Sequence, residues 1–115
     1  MLNARLKIWR SMALGGAIGI AVCQPASAQD TTLQITVENH RFSPSELRAP
    51  ANKPIVITIR NNDATPMEFE SVSLRVEKIV APKSQGSVRI RALSPGRYEF
   101  FDDFNQSTRG TLTVQ

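Results

Sequence analysis

The sequence predicts an all-β domain, a two-sheet antiparallel Greek-key β-sandwich, and two observations carry that prediction. Apolar residues recur at every second position in short runs, the period of half-buried strands. Between the runs stand Pro, Gly, Asn and Asp in turn-forming combinations. A third observation sets the size of the domain, because the N-terminus reads as a segment to be removed before folding.

That segment covers residues 1–28. Arg5, Lys7 and Arg10 form a basic start, the run from Met12 to Val22 is uncharged and apolar, and Ala26-Ser27-Ala28 offers the small residues of a cleavage site. The apolar run is too short for a helix crossing a bilayer core of about 30 Å, so export with cleavage is the expectation, rather than a permanent anchor. The mature domain then comprises residues 29–115 and lies in the periplasm. Val22 is too bulky to precede a lipid-modified Cys23, so a lipoprotein is the weaker alternative.

The strands follow in order. Leu33, Ile35 and Val37 share one face of the first run, and Ile55, Ile57 and Ile59 share one face of a second. Met67 and Phe69 alternate with Glu68 and Glu70, so one pair faces the core and the other faces away. Val72, Leu74 and Val76 continue the alternation, and residues 71–78 are expected to be extended. Val88 and Ile90 mark another strand, Tyr98 and Phe100 one opened by Ser94-Pro95-Gly96, and Leu112 and Val114 the last. Ser43-Pro44, Ala49-Pro50, Asn61-Asn62-Asp63, Pro82 and Pro95-Gly96 punctuate them. About seven strands spaced in this way fit a sandwich.

Composition narrows the function. Removing the leader takes three of the 14 basic residues and none of the 10 acidic ones, so the basic isoelectric point belongs largely to the precursor. Neither nucleic acid nor a membrane surface is an implied partner, and the membrane matters only for export. Cys23 is the single cysteine and leaves with the leader, so the mature domain has neither a disulfide nor a thiolate ligand. With one histidine and no nucleophile motif, hydrolytic catalysis is not expected.

Six residues are candidate metal ligands: His40, Met67, Glu68, Glu70, Asp102 and Asp103. Carboxylates paired on one strand face are either solvated or coordinating. Asp102 and Asp103 form either a solvated turn or a cation site screened by Phe101 and Phe104. His40 stands as a ligand or an ordinary turn residue, and Met67 as a soft ligand or a gap-filling apolar side chain.

Three segments carry a family resemblance: HRFSPSELRAPANKPIVITIRNND, TPMEFES and PGRYEFFDDFNQSTRGTLTV. They resemble a cupredoxin, a sandwich that presents metal ligands from two loops at one end, here residues 64–70 and 102–108. A blue-copper site resembles two His, one Cys and a weak axial Met. This chain has Met67 about where the first His would fall, and Asp102 and Asn105 where the Cys and second His would fall, so a type 1 blue copper centre is not expected. The boxes FSPSEL, EFES, VEK and PGRYEFF resemble the EfeO-type cupredoxin-like domain of bacterial ferrous-iron uptake systems. That resemblance implies a periplasmic protein binding a copper or iron ion through carboxylates and assisting iron or copper transport. Its implied partner is an iron permease or a periplasmic iron-binding protein. The family pattern implies Glu at Met67 and His at Asn105, and both departures remove a ligand. A metal-free, cupredoxin-shaped interaction module that binds a permease or solute-binding protein is the alternative.

Overall fold

A computed structural model describes residues 30–115. The leader read over residues 1–28, with Cys23 and its cleavage site, lies outside the described residues. Nine strands are present among the described residues, and no helix. They are β1 (Thr31–Glu38), β2 (Arg41–Ser43), β3 (Glu46–Ala49), β4 (Ile55–Asn61), β5 (Met67–Ser71), β6 (Val76–Val80), β7 (Ser84–Ile90), β8 (Gly96–Asp102) and β9 (Asn105–Val114).

The strands form a four-stranded sheet ordered β2-β1-β4-β7 and a five-stranded sheet ordered β3-β9-β8-β5-β6. Alternation does the sorting: Ile55, Ile57 and Ile59 of β4 are fully buried, as are Phe69, Phe100 and Leu112 from the facing sheet. Phe100 stacks on Phe69 at 5.0 Å between centroids and meets Phe42 edge-on at 5.1 Å, a geometry that favours aromatic pairs beyond their buried area. Gly110 lies opposite Phe100 across the β8–β9 pair and leaves room for its ring.

Both sheets are mixed. β1 pairs with β4 in parallel, and so does β3 with β9, whereas the other pairings are antiparallel. The chain leaves the first sheet through β3 and returns to it as β4, so no tight hairpin joins β1 to β4 and nothing obliges them to run in opposite directions.

Residues 71–78 differ from the extended expectation. β5 ends at Ser71, a turn follows, and β6 begins at Val76, which pairs back onto Ser71. The Ser71 hydroxyl is the cause: it accepts the Leu74 N–H at 3.1 Å and donates to the Glu99 carbonyl at 2.6 Å. Leu74 is thereby buried, while Val72 stands 83 % exposed. The apolar spacing of Val72, Leu74 and Val76 reads as a strand, but the turn buries Ser71 and Leu74 and directs Val72 out to solvent.

Two polar devices fix the end of the sandwich where the turns cluster. Glu38 pairs with Arg41, leaving a two-residue loop of Asn39 and His40 with φ of 53° and 58°, the backbone of a hairpin turn that suits Asn. The Asp63 carboxylate accepts both loop N–H groups, from Asn39 at 2.6 Å and His40 at 2.9 Å. Asn61 is fully buried, and its amide nitrogen donates towards the carbonyls of Thr65 at 2.8 Å and of Val80 and Ala81 at 3.2 Å each. One amide thus satisfies backbone oxygens where the chain passes between sheets, a place where unpaired groups would be costly.

Candidate metal centre

Strand alternation on β5 places Met67 and Phe69 in the core and leaves Glu68 and Glu70 half-buried on the outer face of the five-stranded sheet. The β8–β9 hairpin closes with only Asp103 and Phe104 between paired Asp102 and Asn105, so most of the expected loops at 64–70 and 102–108 is strand. Asp103 donates its N–H to the Glu68 carbonyl at 2.9 Å, which anchors the turn beside β5. Glu68, Glu70 and Asp103 can each offer an oxygen such that the three atoms all lie within 4.8 Å of one another.

These carboxylates repel one another. Desolvation pushes the Glu68 carboxyl above its ordinary pKa, and Glu77, Asp103 and Asp102 push it further. Glu70 is raised by desolvation, by a hydrogen bond with Glu77 and by the charges of Asp103, Glu77 and Glu68. Glu70 and Glu77 stand directly opposite across the β5–β6 pair, where like charges destabilise a sheet. Among the described residues the ion pairs are Arg89–Asp30 and His40–Asp63, so none neutralises this group. Converging oxygens, negative charge and no cationic partner among the described residues form an environment that a hard or borderline cation would stabilise.

The other candidates lie elsewhere. Met67 is 2 % exposed and packs within the apolar core, a gap-filling position. Asp102 is equally buried, and its Oδ1 accepts the N–H of Glu68 and of Phe104, both at 3.0 Å, locking the irregularity between Phe101 and Asp102. His40 has a side chain 54 % exposed with Nδ1 3.8 Å from an Asp63 oxygen, its N–H held by Asp63, and its carbonyl accepting the Thr108 hydroxyl. Asn105 accepts a bond from the Ser107 hydroxyl at 3.1 Å.

Glu77 belongs electrostatically to the cluster and was not singled out from the sequence. The signal existed: had Ser71 been recognised as the start of a turn, the register would have placed Glu77 opposite Glu70. Asp63 likewise reads as one residue of a polar turn, whereas it organises the turn that carries His40.

A family model described as a cupredoxin-like domain matches residues 11–114. An uncharacterized protein of Rickettsia prowazekii (strain Madrid E) is 40 % identical over 86 residues, 73 % of this chain and 69 % of that protein. Among solved structures, the metal-binding domain of the Streptococcus pneumoniae Cu(I)-exporting P-type ATPase CopA with Cu(I) superposes with a TM-score of 0.66 at 16 % identity, covering 80 % of this chain and 91 % of that one. A dithionite-reduced auracyanin from Roseiflexus castenholzii gives 0.61 at 17 % identity, covering 74 % and 97 %. A purple cupredoxin from Nitrosopumilus maritimus gives 0.56 at 20 % identity, covering 72 % and 99 %. Likeness at these identities establishes the fold.

Proposed function

The chain belongs to the cupredoxin-like domain family, and we propose that it is an exported metal-binding protein that holds copper or iron through Glu68, Glu70 and Asp103 and assists bacterial iron or copper transport. The observation that carries this reading is the convergence of three carboxylate oxygens within 4.8 Å with no basic residue paired to them among the described residues. Residues 29–115 contain no cysteine, so the donor set offers oxygen rather than thiolate and the site we propose is not a type 1 blue one. Oxygen donors favour Cu(II) or iron over soft Cu(I). The role in transport, with an iron permease or periplasmic iron-binding protein as partner, rests on the sequence resemblance of the EFES and PGRYEFF boxes. Location in the periplasm rests on the leader at residues 1–28.

Equilibrium dialysis of the mature protein against Cu(II) and ferric citrate tests the binding step. The wild type should retain about one ion per chain, and Glu70→Gln and Asp103→Asn should each retain less while melting in chelator no lower than the wild type, because each removes a charge from a group of like charges. A second reading has its own supporting observation. Met67 is sunk in the core and Oδ1 of Asp102 is committed to two backbone N–H groups, so the positions that carry ligands in a blue-copper protein, here Met67, Asp102 and Asn105, hold neither thiolate nor imidazole. If the wild type retains no metal, a metal-free interaction module becomes the function.

A further inference from the structure

A cleft of about 320 Å³ opens beside the β1–β2 and β8–β9 turns, lined by His40, Thr65, Pro66, Asp102, Phe104 and Asn105. Its floor carries an unusual group. Asp102 is 98 % buried by its 2 % exposure, and its Oδ1 accepts both of its hydrogen bonds, from Glu68 and Phe104. Oδ2 has no hydrogen-bond or ion-pair partner among the described residues. A carboxylate withdrawn from water is costly until a donor or cation reaches it.

The walls restrict which cation that is. Apart from Asp102, the side chains of the cleft offer a metal one imidazole, the neutral hydroxyl of Thr65 and the amide of Asn105, whose oxygen already accepts from Ser107, and no second charged ligand. Pro66 and the 53 % exposed ring of Phe104 offer hydrocarbon and an aromatic face instead. Those surfaces suit methylene groups, and an aromatic face adds attraction for an ammonium head.

We propose that this cleft binds an alkylammonium group, the end of a lysine side chain presented by a partner protein, with the ammonium on Asp102 Oδ2 and the methylenes along Pro66 and Phe104. The site is separate from the carboxylate cluster of Glu68, Glu70 and Asp103, and its occupancy does not require metal there.

Asp102→Asn is the decisive variant. An asparagine keeps an Oδ1 for the Glu68 and Phe104 N–H groups and replaces only the unpartnered oxygen by a donor, so the turn stays pinned. Amide chemical shifts of wild type and variant would be followed at pH 7 during titration with Nα-acetyl-lysine methylamide, its uncharged norleucine counterpart, and cadaverine. The lysine probe should shift His40, Thr65, Phe104 and Asn105 saturably, with a dissociation constant on the order of millimolar for a fragment of this size. Asp102→Asn should weaken it at least about tenfold, Phe104→Ser should weaken it too, and the norleucine probe should produce no saturable shift. No saturable shift with lysine, equal shifts with norleucine, or undiminished binding by a folded Asp102→Asn protein overturns the proposal. Cadaverine binding without lysine binding overturns the assignment to a protein partner. Cu(II) that competes with lysine and itself needs Asp102 overturns it in favour of a metal in the cleft, whereas Cu(II) retained by Asp102→Asn at the outer carboxylates leaves both sites standing.

Discussion

One methyl group added at Gly110 should destabilise this domain more than most surface substitutions. An alanine Cβ there would lie 2.4 Å from both Cε1 and Cζ of Phe100 and 2.8 Å from the Ser45 carbonyl oxygen. Carbon atoms in comfortable contact sit about 3.5–4.0 Å apart, so something must move by roughly 1 Å. The ring has nowhere to go, because Phe100 is fully buried between Phe69 and Phe42. Overpacking of this kind costs about 1–3 kcal/mol. Replacing glycine restricts the unfolded chain and returns about 0.4–1 kcal/mol, and the native φ of Gly110 is not positive, so no backbone strain is added. The net loss is centred on about 1.3 kcal/mol and is at most about 2.6 kcal/mol, the centre being equivalent to a melting point lower by roughly 5–10 °C for a domain of this size. Far-ultraviolet circular dichroism melts of the chelator-treated protein measure it. Phe100→Leu makes room for the new methyl, so the double variant should lose less than the sum of the singles by about 0.5–3 kcal/mol. A Gly110→Ala protein that melts at or above wild type, or strict additivity in the double variant, would refute the packing argument.

Three further outcomes follow from the polar groups. In the metal-free protein the raised pKa values of Glu68 and Glu70 mean that the folded state holds protons the unfolded state has released, so stability should fall as pH rises from about the ordinary 4.5 through the raised values; Glu70→Gln should flatten that slope in melts taken from pH 4 to 7. Asp63 behaves oppositely: the His40 N–H, ahead of the other causes, holds its pKa below 3.8, so its contribution is present above 3.8 and is lost as pH falls through the lowered folded value. Asp63→Ala should shrink the acid-side loss and shift the Asn39 and His40 amide signals. Asn61→Ala leaves the Thr65, Val80 and Ala81 carbonyls without their buried donor and should cost about 2–4 kcal/mol in urea unfolding, with little change in the slope against urea.

How much of this was legible in the sequence depends on which interaction decided each feature. The strand faces of Ile55, Ile57, Ile59, Phe100 and Leu112 follow from alternation, because burial of apolar area selects the inward set one residue at a time. The outward direction of Glu68 and Glu70 follows from the same rule. Parallel pairing of β1 with β4 was not legible, since it depends on where the chain goes between them rather than on any local pattern. Nor was the turn at residues 72–75, where a single hydroxyl on Ser71 outweighs an apolar alternation. For the candidate ligands in turns, type and neighbourhood were readable but direction was not. Asp102 and Asp103 are adjacent and chemically identical, yet one is buried under two backbone N–H groups and the other joins the outer carboxylates. His40 is likewise directed by a turn geometry that emerges only when Asp63 is brought beside it.

The claim that Glu68, Glu70 and Asp103 form a metal site is tested most directly by electron paramagnetic resonance of Cu(II) added to the mature protein at one equivalent. The carboxylate site predicts a protein-bound Cu(II) signal free of nitrogen superhyperfine splitting, with no strong thiolate absorption, and its loss in Glu68→Gln/Glu70→Gln. A spectrum of free Cu(II) alone, or a bound signal split by the His40 imidazole nitrogen and indifferent to those two substitutions, would contradict it.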